Sequence, residues 1–380
     1  MDWGKWPCYD VEHEEAVRRV IRSGQLFAAH EVQAFESQYA RYLGVNYVRG
    51  VGNATQGLHL ALAAAGVGVG HEVIVTTYSW ISTASVILMQ NAVPIFCDMD
   101  RKTLGIDVAR IENLISRRTR AVIVTHMLGF QADIVELARL CRENNLILIE
   151  DASHAHGASL FGRKLGTFGD MSVFSLHQRK ALSVGDGGIV CTDSEEYASQ
   201  LYRLRSFGAE ELSYNYRMSE FAAALGSVGI KRLDDENRQR RESFFVAQDA
   251  FAGSRSLSVC VPLDVDGAAH YAIALEVHAN VPKQKVDNFL SQCAENGIPI
   301  RKTWQPLHRH PHFNPSREPA RGLPWKLLEY RGANDRSYLE EDHPIANEML
   351  PDRLLELYAH PGTKPCAIYE VAELAAAYLS

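Results

Sequence analysis

Apolar segments of strand length alternate with helical patterns through the first half of this chain. Four runs rich in aliphatic residues have the length of buried strands: residues 71–77, 93–98, 121–126 and 146–151. Two segments carry apolar side chains at helical spacing: residues 58–65, before the first run, and residues 134–143, between the last two. Helices placed between strands supply the crossover connections that parallel strands need. The alternation therefore predicts an α/β fold with a mostly parallel central sheet flanked by helices.

Two further helical regions are predicted outside this alternation. Residues 10–23 have the pattern of a short amphipathic helix, and Gly24 follows as a stop signal. Residues 219–250 predict one long helical region, interrupted near Gly226 and Gly229. A helix of that length can connect two domains of one chain.

The last third of the chain predicts a smaller α+β domain. Residues 270–277 have the pattern of a strand, residues 283–296 that of a helix, and another helical pattern ends the chain. We therefore predict a large domain with an N-terminal helix over residues 1–240 and a small C-terminal domain over residues 241–380.

Composition and charge argue against several classes of partner. The formal net charge is −7 over 380 residues, and Lys and Arg occur only in short clusters, so no basic face for nucleic acid is expected. The seven cysteines are dispersed, without a C-x-x-C pair or a Cys/His cluster at metal-ligand spacing. No apolar run approaches the roughly 20 residues that a membrane span needs. We expect a cytoplasmic protein with reduced thiols and with no metal, nucleic-acid or membrane partner.

An acidic pair ends the fourth apolar run. Leu146-Ile147-Leu148-Ile149 leads directly into Glu150-Asp151. A carboxylate at the end of a buried strand is costly unless a cation or a hydrogen-bond donor meets it. A protonated pyridine nitrogen would meet Asp151, whose negative charge would raise the pKa of that nitrogen. The alternative is a strand-end aspartate that caps the next turn.

A lysine lies between the next apolar segment and a glycine-rich loop. Residues 169–180 end in Lys180, and Gly185-Asp186-Gly187-Gly188 follows. A lysine in this place can form an imine with a carbonyl cofactor if its pKa is lowered. The glycines would let the backbone pass close to a bound ligand. The alternative is a solvated surface lysine.

A loop of small residues leads into the first predicted helix of the alternation. Its sequence is Asn53-Ala54-Thr55-Gln56-Gly57. Backbone N–H groups at a helix N-terminus, together with the Thr55 hydroxyl, would bind a phosphate. A plain helix cap is the alternative reading of the same residues.

Taken together and in this order, these motifs resemble those of the DegT family of pyridoxal-phosphate (PLP)-dependent sugar aminotransferases. The resemblance extends from about Trp6 to the C-terminus and implies the fold type I PLP-dependent transferase architecture. It implies PLP as the cofactor, Lys180 as the catalytic lysine that forms a Schiff base with it, and Asp151 as the partner of its pyridinium nitrogen. Family members that act as sugar dehydratases carry histidine at the position of Lys180, so the lysine indicates an aminotransferase.

The resemblance also implies the other cofactor contacts, which are Ala54, Thr55, Gln56, Trp80, His154, Ser175 and Asn215. Of these, Trp80 would stack on the pyridine ring, with a core tryptophan as the alternative. His154 would contact the phenolic oxygen, and Ser175 would bind the phosphate. Asn215 would reach the phosphate of the neighbouring subunit, which implies a homodimer with shared active sites.

The implied reaction moves an amino group from glutamate or glutamine to a keto-sugar or keto-cyclitol, in amino-sugar, aminocyclitol or related natural-product biosynthesis. Lys5-Trp6-Pro7 and Ala155-His156-Gly157 are more similar to family members that act on carbocycles. Candidate substrate contacts, each with a structural role as the alternative, are Tyr78, Arg217 and His308. Two other functions stay open: a dehydrating, aromatising PLP enzyme of the aminohydroxybenzoate synthase type, and a non-catalytic PLP-binding regulator.

Overall fold

The computed structural model describes residues 3–27, 29–207, 212–313, 324–325 and 338–379. The strands among these residues are β1 (Tyr47–Val51), β2 (Glu72–Thr76), β3 (Val93–Cys97), β4 (Thr119–Thr125), β5 (Ile147–Asp151), β6 (Ser159–Leu160), β7 (Arg163–Lys164), β8 (Met171–Ser175), β9 (Gly188–Thr192), β10 (Leu257–Val259), β11 (Ile273–Val277), β12 (Ile300–Lys302) and β13 (Leu354–Leu357). The helices are α1 (Val11–Ser23), α2 (His30–Leu43), α3 (Ala54–Ala64), α4 (Ser82–Met89), α5 (Val108–Leu114), α6 (Ile134–Glu143), α7 (Glu195–Arg205), α8 (Glu220–Gly229), α9 (Leu233–Ala250), α10 (Lys283–Glu295), α11 (Pro344–Met349) and α12 (Pro365–Leu379).

Seven strands form a central sheet in the order β1-β9-β8-β5-β4-β2-β3. The pairs β2–β3, β2–β4, β4–β5 and β5–β8 are parallel, as predicted, and β9 runs antiparallel to both β1 and β8. An antiparallel neighbour needs no crossover helix, so residues 176–187 connect β8 to β9 as a loop. This loop carries Lys180, and its start and end are fixed by the two strands.

Helices cover both faces of the central sheet. Strands β2, β3, β5, β8 and β9 are buried at every position, which is why they read as continuous apolar runs and not as alternating ones. One apolar cluster lies on each face, with α2 and α6 contributing to the first and α3 and α4 to the second. The predicted α/β class is thereby confirmed.

A second, antiparallel sheet has the order β10-β11-β13-β12. Helices α10 and α12 pack on it through a separate apolar cluster. Among the described residues, no helix has both the length and the apolar character required to cross a bilayer. All seven cysteines are unpaired.

Helix α9 joins the two sheets. The single helical region predicted over residues 219–250 is broken after Gly229, where a Cβ atom would lie 2.6 Å from the side chain of Leu182. In the first half of α9, Asn237 donates a hydrogen bond of 2.8 Å to the carbonyl of His156. In its second half, Ala247 belongs to the core of the small sheet. The predicted boundary at residue 240 falls between these two contacts, and the division into domains stays a prediction.

A buried carboxylate joins α8 to the start of α2. Glu220 is 1% exposed and accepts hydrogen bonds from the backbone N–H groups of Ala29, Glu31 and Val32, at 2.8, 2.8 and 3.2 Å. The cap residue of α2, Ala29, has no side chain that could accept these bonds. Glu220 therefore replaces the missing cap and places its negative charge at the positive end of the α2 dipole.

We expect Glu220→Ala to lower the free energy of unfolding by about 2–3 kcal/mol, because three backbone donors, one buried and two partly buried, lose their acceptor. The measurement is urea denaturation followed by circular dichroism. Glu15→Ala is the matched control, since Glu15 is half exposed on α1 and pairs only with the exposed Arg18. It should cost less than about 1 kcal/mol. Equal effects of the two substitutions would contradict the capping role of Glu220.

Candidate active site

A cavity of about 360 Å³ lies at the carboxyl ends of the central strands. Ser79 follows β2 there, and Thr125, Asp151 and Ser175 end β4, β5 and β8. The small sheet closes the other side of the cavity with Tyr271, Arg301 and Trp304. Parallel strands bring their carboxyl ends to one edge, so residues far apart in sequence meet at this place.

Asp151 is held in one orientation at the floor of the cavity. It is 4% exposed, and its Oδ2 accepts a hydrogen bond of 2.8 Å from the Thr83 hydroxyl. Its Oδ1 accepts from the backbone N–H of Ser153 at 3.2 Å. Each carboxylate oxygen thus has one donor from the protein and retains a further lone pair for a ligand in the cavity.

Lys180 faces Asp151 across the same cavity. Burial lowers the pKa of its ammonium group to about 8, although the negative charges of Asp151 and Glu356 oppose the shift. The Nζ atom lies 5.3 Å from the centre of the Tyr271 ring. The backbone N–H of Lys180 donates to the carbonyl of His177 at 2.7 Å, which fixes the turn that carries the side chain. A lysine with this pKa has a substantial neutral fraction near pH 8 and can act as a nucleophile or a base.

His154 lies flat against Tyr271 in the cavity wall. The ring centres are 4.2 Å apart with an interplanar angle of 9°. Burial holds the pKa of His154 well below its usual value, so the imidazole is neutral. Its Nδ1 accepts a hydrogen bond of 3.3 Å from the backbone N–H of Leu128. The ring proton therefore lies on Nε2, which makes this atom a hydrogen-bond donor.

The start of α3 offers donors to an anion. Among the first backbone N–H groups of α3, those of Gln56 and Gly57 are already taken by Asn53, at 3.0 Å each. The N–H groups of Ala54 and Thr55 are left for a ligand.

The side chains of Thr55 and Ser82 and the strand β9 lie next to the start of α3. The Thr55 hydroxyl donates to the Ser82 hydroxyl at 2.8 Å, and both residues line the cavity. Strand β9 passes directly behind the loop, because a Cβ atom on Gly188 would lie 2.6 Å from the carbonyl carbon of Asn53. A glycine is therefore required where β9 begins.

The structure brings most of the predicted cofactor contacts into one cavity. Its lining includes Ala54, Thr55, Trp80, Asp151, His154, Ser175 and Lys180. Trp80 is 52% exposed and meets Trp304 edge to face at 5.4 Å, so a ring face is available to a ligand. Gln56 is not part of the lining, since its side chain lies against Gly52. Asn215 is exposed and lies outside the cavity.

The three candidate substrate contacts lie outside the lining of this cavity. Tyr78 is 1% exposed, and its hydroxyl shares a hydrogen bond of 2.8 Å with the Thr303 hydroxyl. His308 is buried, stacks on His343 at 4.0 Å and shares a hydrogen bond of 2.6 Å with the Thr77 hydroxyl. The guanidinium group of Arg217 lies 5.2 Å from the rings of both Phe27 and Phe207. Each of the three thus has partners within its own chain, and a role in substrate binding stays a prediction.

The sequence motifs did not indicate Tyr271, Arg301 and Trp304, which come from the small sheet. Tyr271 immediately precedes β11, Arg301 lies on β12, and Trp304 follows that strand. The only hint of these site residues in the sequence was the segment Arg301-Lys302-Thr303-Trp304, which precedes Pro306. These three residues reach the cavity because the small sheet packs on the central sheet. Local sequence patterns do not encode that packing.

We expect Lys180, in protein freed of cofactor, to lose its proton near pH 8, well below the usual lysine pKa of 10.5. The measurement is acylation by an amine-selective reagent across the pH range, followed on the Lys180 peptide by mass spectrometry. Asp151→Asn should move the midpoint lower still, because a charge that stabilises the ammonium form is removed. A midpoint close to 10.5 in the unaltered protein would contradict the effect of burial.

Comparisons with known proteins show the family to which the chain belongs. Residues 7–324 match the DegT/DnrJ/EryC1/StrS aminotransferase family. GDP-perosamine synthase of Vibrio cholerae is 30% identical over 320 residues, which cover 81% of this chain and 86% of that protein. L-glutamine:2-deoxy-scyllo-inosose aminotransferase of Streptoalloteichus tenebrarius is 32% identical over 343 residues, which cover 83% of this chain and 80% of that protein.

A solved structure of 3-amino-5-hydroxybenzoic acid synthase has the same fold. It superimposes with a TM-score of 0.88 over 99% of this chain and 98% of its own, at 24% identity. The predicted fold type I architecture is confirmed by this likeness. On the family match and the identities above, the chain belongs to the DegT/DnrJ/EryC1/StrS aminotransferase family and is an aminotransferase of the PLP-dependent kind.

Proposed function

We propose that this chain transfers an amino group from glutamate or glutamine to a keto-sugar or keto-cyclitol, with PLP bound beside Lys180. The observation that carries the proposal is the convergence of Lys180, Asp151 and His154 on one cavity. The likeness to an aminotransferase named for L-glutamine and 2-deoxy-scyllo-inosose supports this donor and a cyclitol acceptor.

The donors and acceptors around the cavity suit PLP. Asp151 offers a buried carboxylate oxygen to a protonated ring nitrogen, and His154 offers the Nε2 proton to a phenolic oxygen. The N–H groups of Ala54 and Thr55 and the nearby Ser175 hydroxyl suit a phosphate group. Trp80 offers a flat apolar face to a ring. Each polar part of the cofactor therefore has a complementary side chain or backbone group.

PLP, when bound, supplies an electron sink that allows a proton to leave the substrate carbon that bears the amino group. The chain's part is to hold and move that proton. Lys180 Nζ, with a pKa of about 8, can accept a proton and return it at a neighbouring atom. Thr83 and Ser153 keep Asp151 in place, and Leu128 keeps His154 in the tautomer that donates from Nε2.

Asn215 is an exposed residue between two tyrosines that contact their own subunit. Tyr214 and Tyr216 stack with ring centres 4.8 Å apart and an interplanar angle of 5°. His59 shares a hydrogen bond of 3.0 Å with Tyr216, and Gly52 donates to the Tyr216 carbonyl at 3.0 Å. Both tyrosines thus anchor the segment to its own subunit, while Asn215 between them is exposed. We therefore propose a homodimer in which Asn215 completes the partner's phosphate site.

The direct test of the function is an absorbance spectrum of the purified protein supplied with PLP. We expect a band of bound PLP that declines when glutamine or glutamate is added alone, because the donor reacts before the acceptor binds. Lys180→Ala should abolish the reducible covalent adduct and lower kcat by about 10²- to 10⁴-fold. Lys283→Ala, on an exposed lysine of α10, is the control.

Two results would count against this function. A protein that shows no band with PLP in excess does not bind the cofactor as proposed. A protein that converts a keto-cyclitol to an aromatic product without consuming a stoichiometric amino donor is a dehydrating enzyme instead.

Mixed dimers test the shared active site. Lys180→Ala and Asn215→Ala subunits should each be nearly inactive alone, and their mixture should recover about a quarter of wild-type activity. A hybrid dimer has one intact site, in which Lys180 and Asn215 come from different subunits. Failure to recover activity after subunit exchange would show that Asn215 acts within its own subunit, and an active Asn215→Ala protein would show that Asn215 has no role.

A further inference from the structure

A second cavity, of about 450 Å³, adjoins the first. Its lining includes Trp6, Gln178, Tyr358 and His360. Arg179 and Arg301 also line it, and the same two arginines line the first cavity. The two cavities therefore share two arginines, and the positive charge of each acts on Lys180.

Arg301 is rigidly held with one end free. Its Nε and Nη2 donate to Oε2 of the fully buried Glu356 at 3.0 and 2.8 Å, and Nη2 also donates to the Tyr358 hydroxyl at 2.7 Å. The rings of Trp304 and Tyr358 lie 4.9 and 5.3 Å from the guanidinium carbon. Nη1 takes part in none of these bonds and is the donor left for a ligand.

The charge where the cavities meet is positive. Glu356 balances the charge of Arg301, whereas no carboxylate in the described part of the chain forms an ion pair with Arg179. The second cavity has no acidic residue in its lining, and burial lowers the pKa of His360 to about 4, which leaves it neutral. The acidic groups of the first cavity are Asp151 and Asp186. An anion entering from the second cavity therefore meets arginines first.

We propose that Arg179 and Arg301 bind the carboxylate of the amino donor at the junction of the two cavities. The inference rests on the proposed function, in which the donor is glutamate or glutamine. The carboxylate of an amino acid is attached to the same carbon as the reacting amino group, so it must bind close to Lys180. A pair of guanidinium groups is the arrangement that holds a carboxylate in one orientation.

The remaining walls of the second cavity suit the rest of such a donor. Gln178 offers an amide to the far end of a glutamine or glutamate side chain, and Trp6 and Tyr358 offer apolar faces to its methylene groups. A keto-sugar or keto-cyclitol without a carboxylate has no anionic group for the arginine pair to bind. The pair thus selects the donor and leaves the acceptor unaffected.

The test is calorimetric binding of glutarate, an unreactive dicarboxylate, to the PLP-loaded protein. We expect Arg179→Gln to weaken glutarate binding about tenfold or more, and Arg301→Lys to weaken it less, because the positive charge remains but the fixed position of the Nη1 donor is lost. In steady-state kinetics, Arg179→Gln should raise the KM for the donor and leave the KM for the acceptor unchanged. Arg18→Gln, which removes one exposed charge from α1, is the control.

The outcomes separate this subsite from the function itself. Wild-type affinity for glutarate in Arg179→Gln, or no glutarate binding by the unaltered protein, overturns the subsite. Arg179 is exposed, so its replacement leaves the fold intact and makes Arg179→Gln the decisive variant. If glutarate binding depends on Arg179 but no amino group is ever transferred, the proposed function fails while the subsite stands.

Discussion

The desolvated ammonium group of Lys180 is the constraint on which the arrangement of the site depends. Burial disfavours its charge, and only Asp151 and Glu356 counter that effect with opposite charge. Asp151 comes from the central sheet and Glu356 from the small sheet, so the reactivity of the lysine reflects the packing of both. A shift of one sheet against the other would therefore change the pKa of Lys180.

Glu356 is one of the residues whose polar contacts join the two sheets. It is fully buried on β13 and accepts hydrogen bonds from Thr303 at 2.8 Å, from Arg301 on β12 and from Tyr78, which follows β2 of the central sheet. A buried carboxylate is tolerated only when several donors surround it. Tyr78, which the sequence predicted as a candidate substrate contact, thus forms a polar contact between the two sheets.

Sequence patterns predicted those parts of the site that local structure determines. Asp151 and Lys180 were found because a strand end and a strand-to-loop turn have recognisable sequences, and the strands that carry them are buried throughout. The antiparallel direction of β9 was not predicted, since a fully apolar strand looks the same in either direction. Tyr271 and Arg301 were missed because their place depends on contact between the two sheets.

Trp6, in the N-terminal segment, connects the turn at Lys180 to residues that are distant in the sequence. The Trp6 indole N–H donates to the Lys180 carbonyl at 3.0 Å. The Trp6 ring lies 4.7 Å from the guanidinium group of the buried Arg240 on α9 and stacks on His360 at 5.9 Å. Because α9 spans the two sheets, Trp6 couples the catalytic turn to the element that holds them together. The same ring lines the second cavity, so Trp6 contacts both the backbone of Lys180 and the proposed donor site.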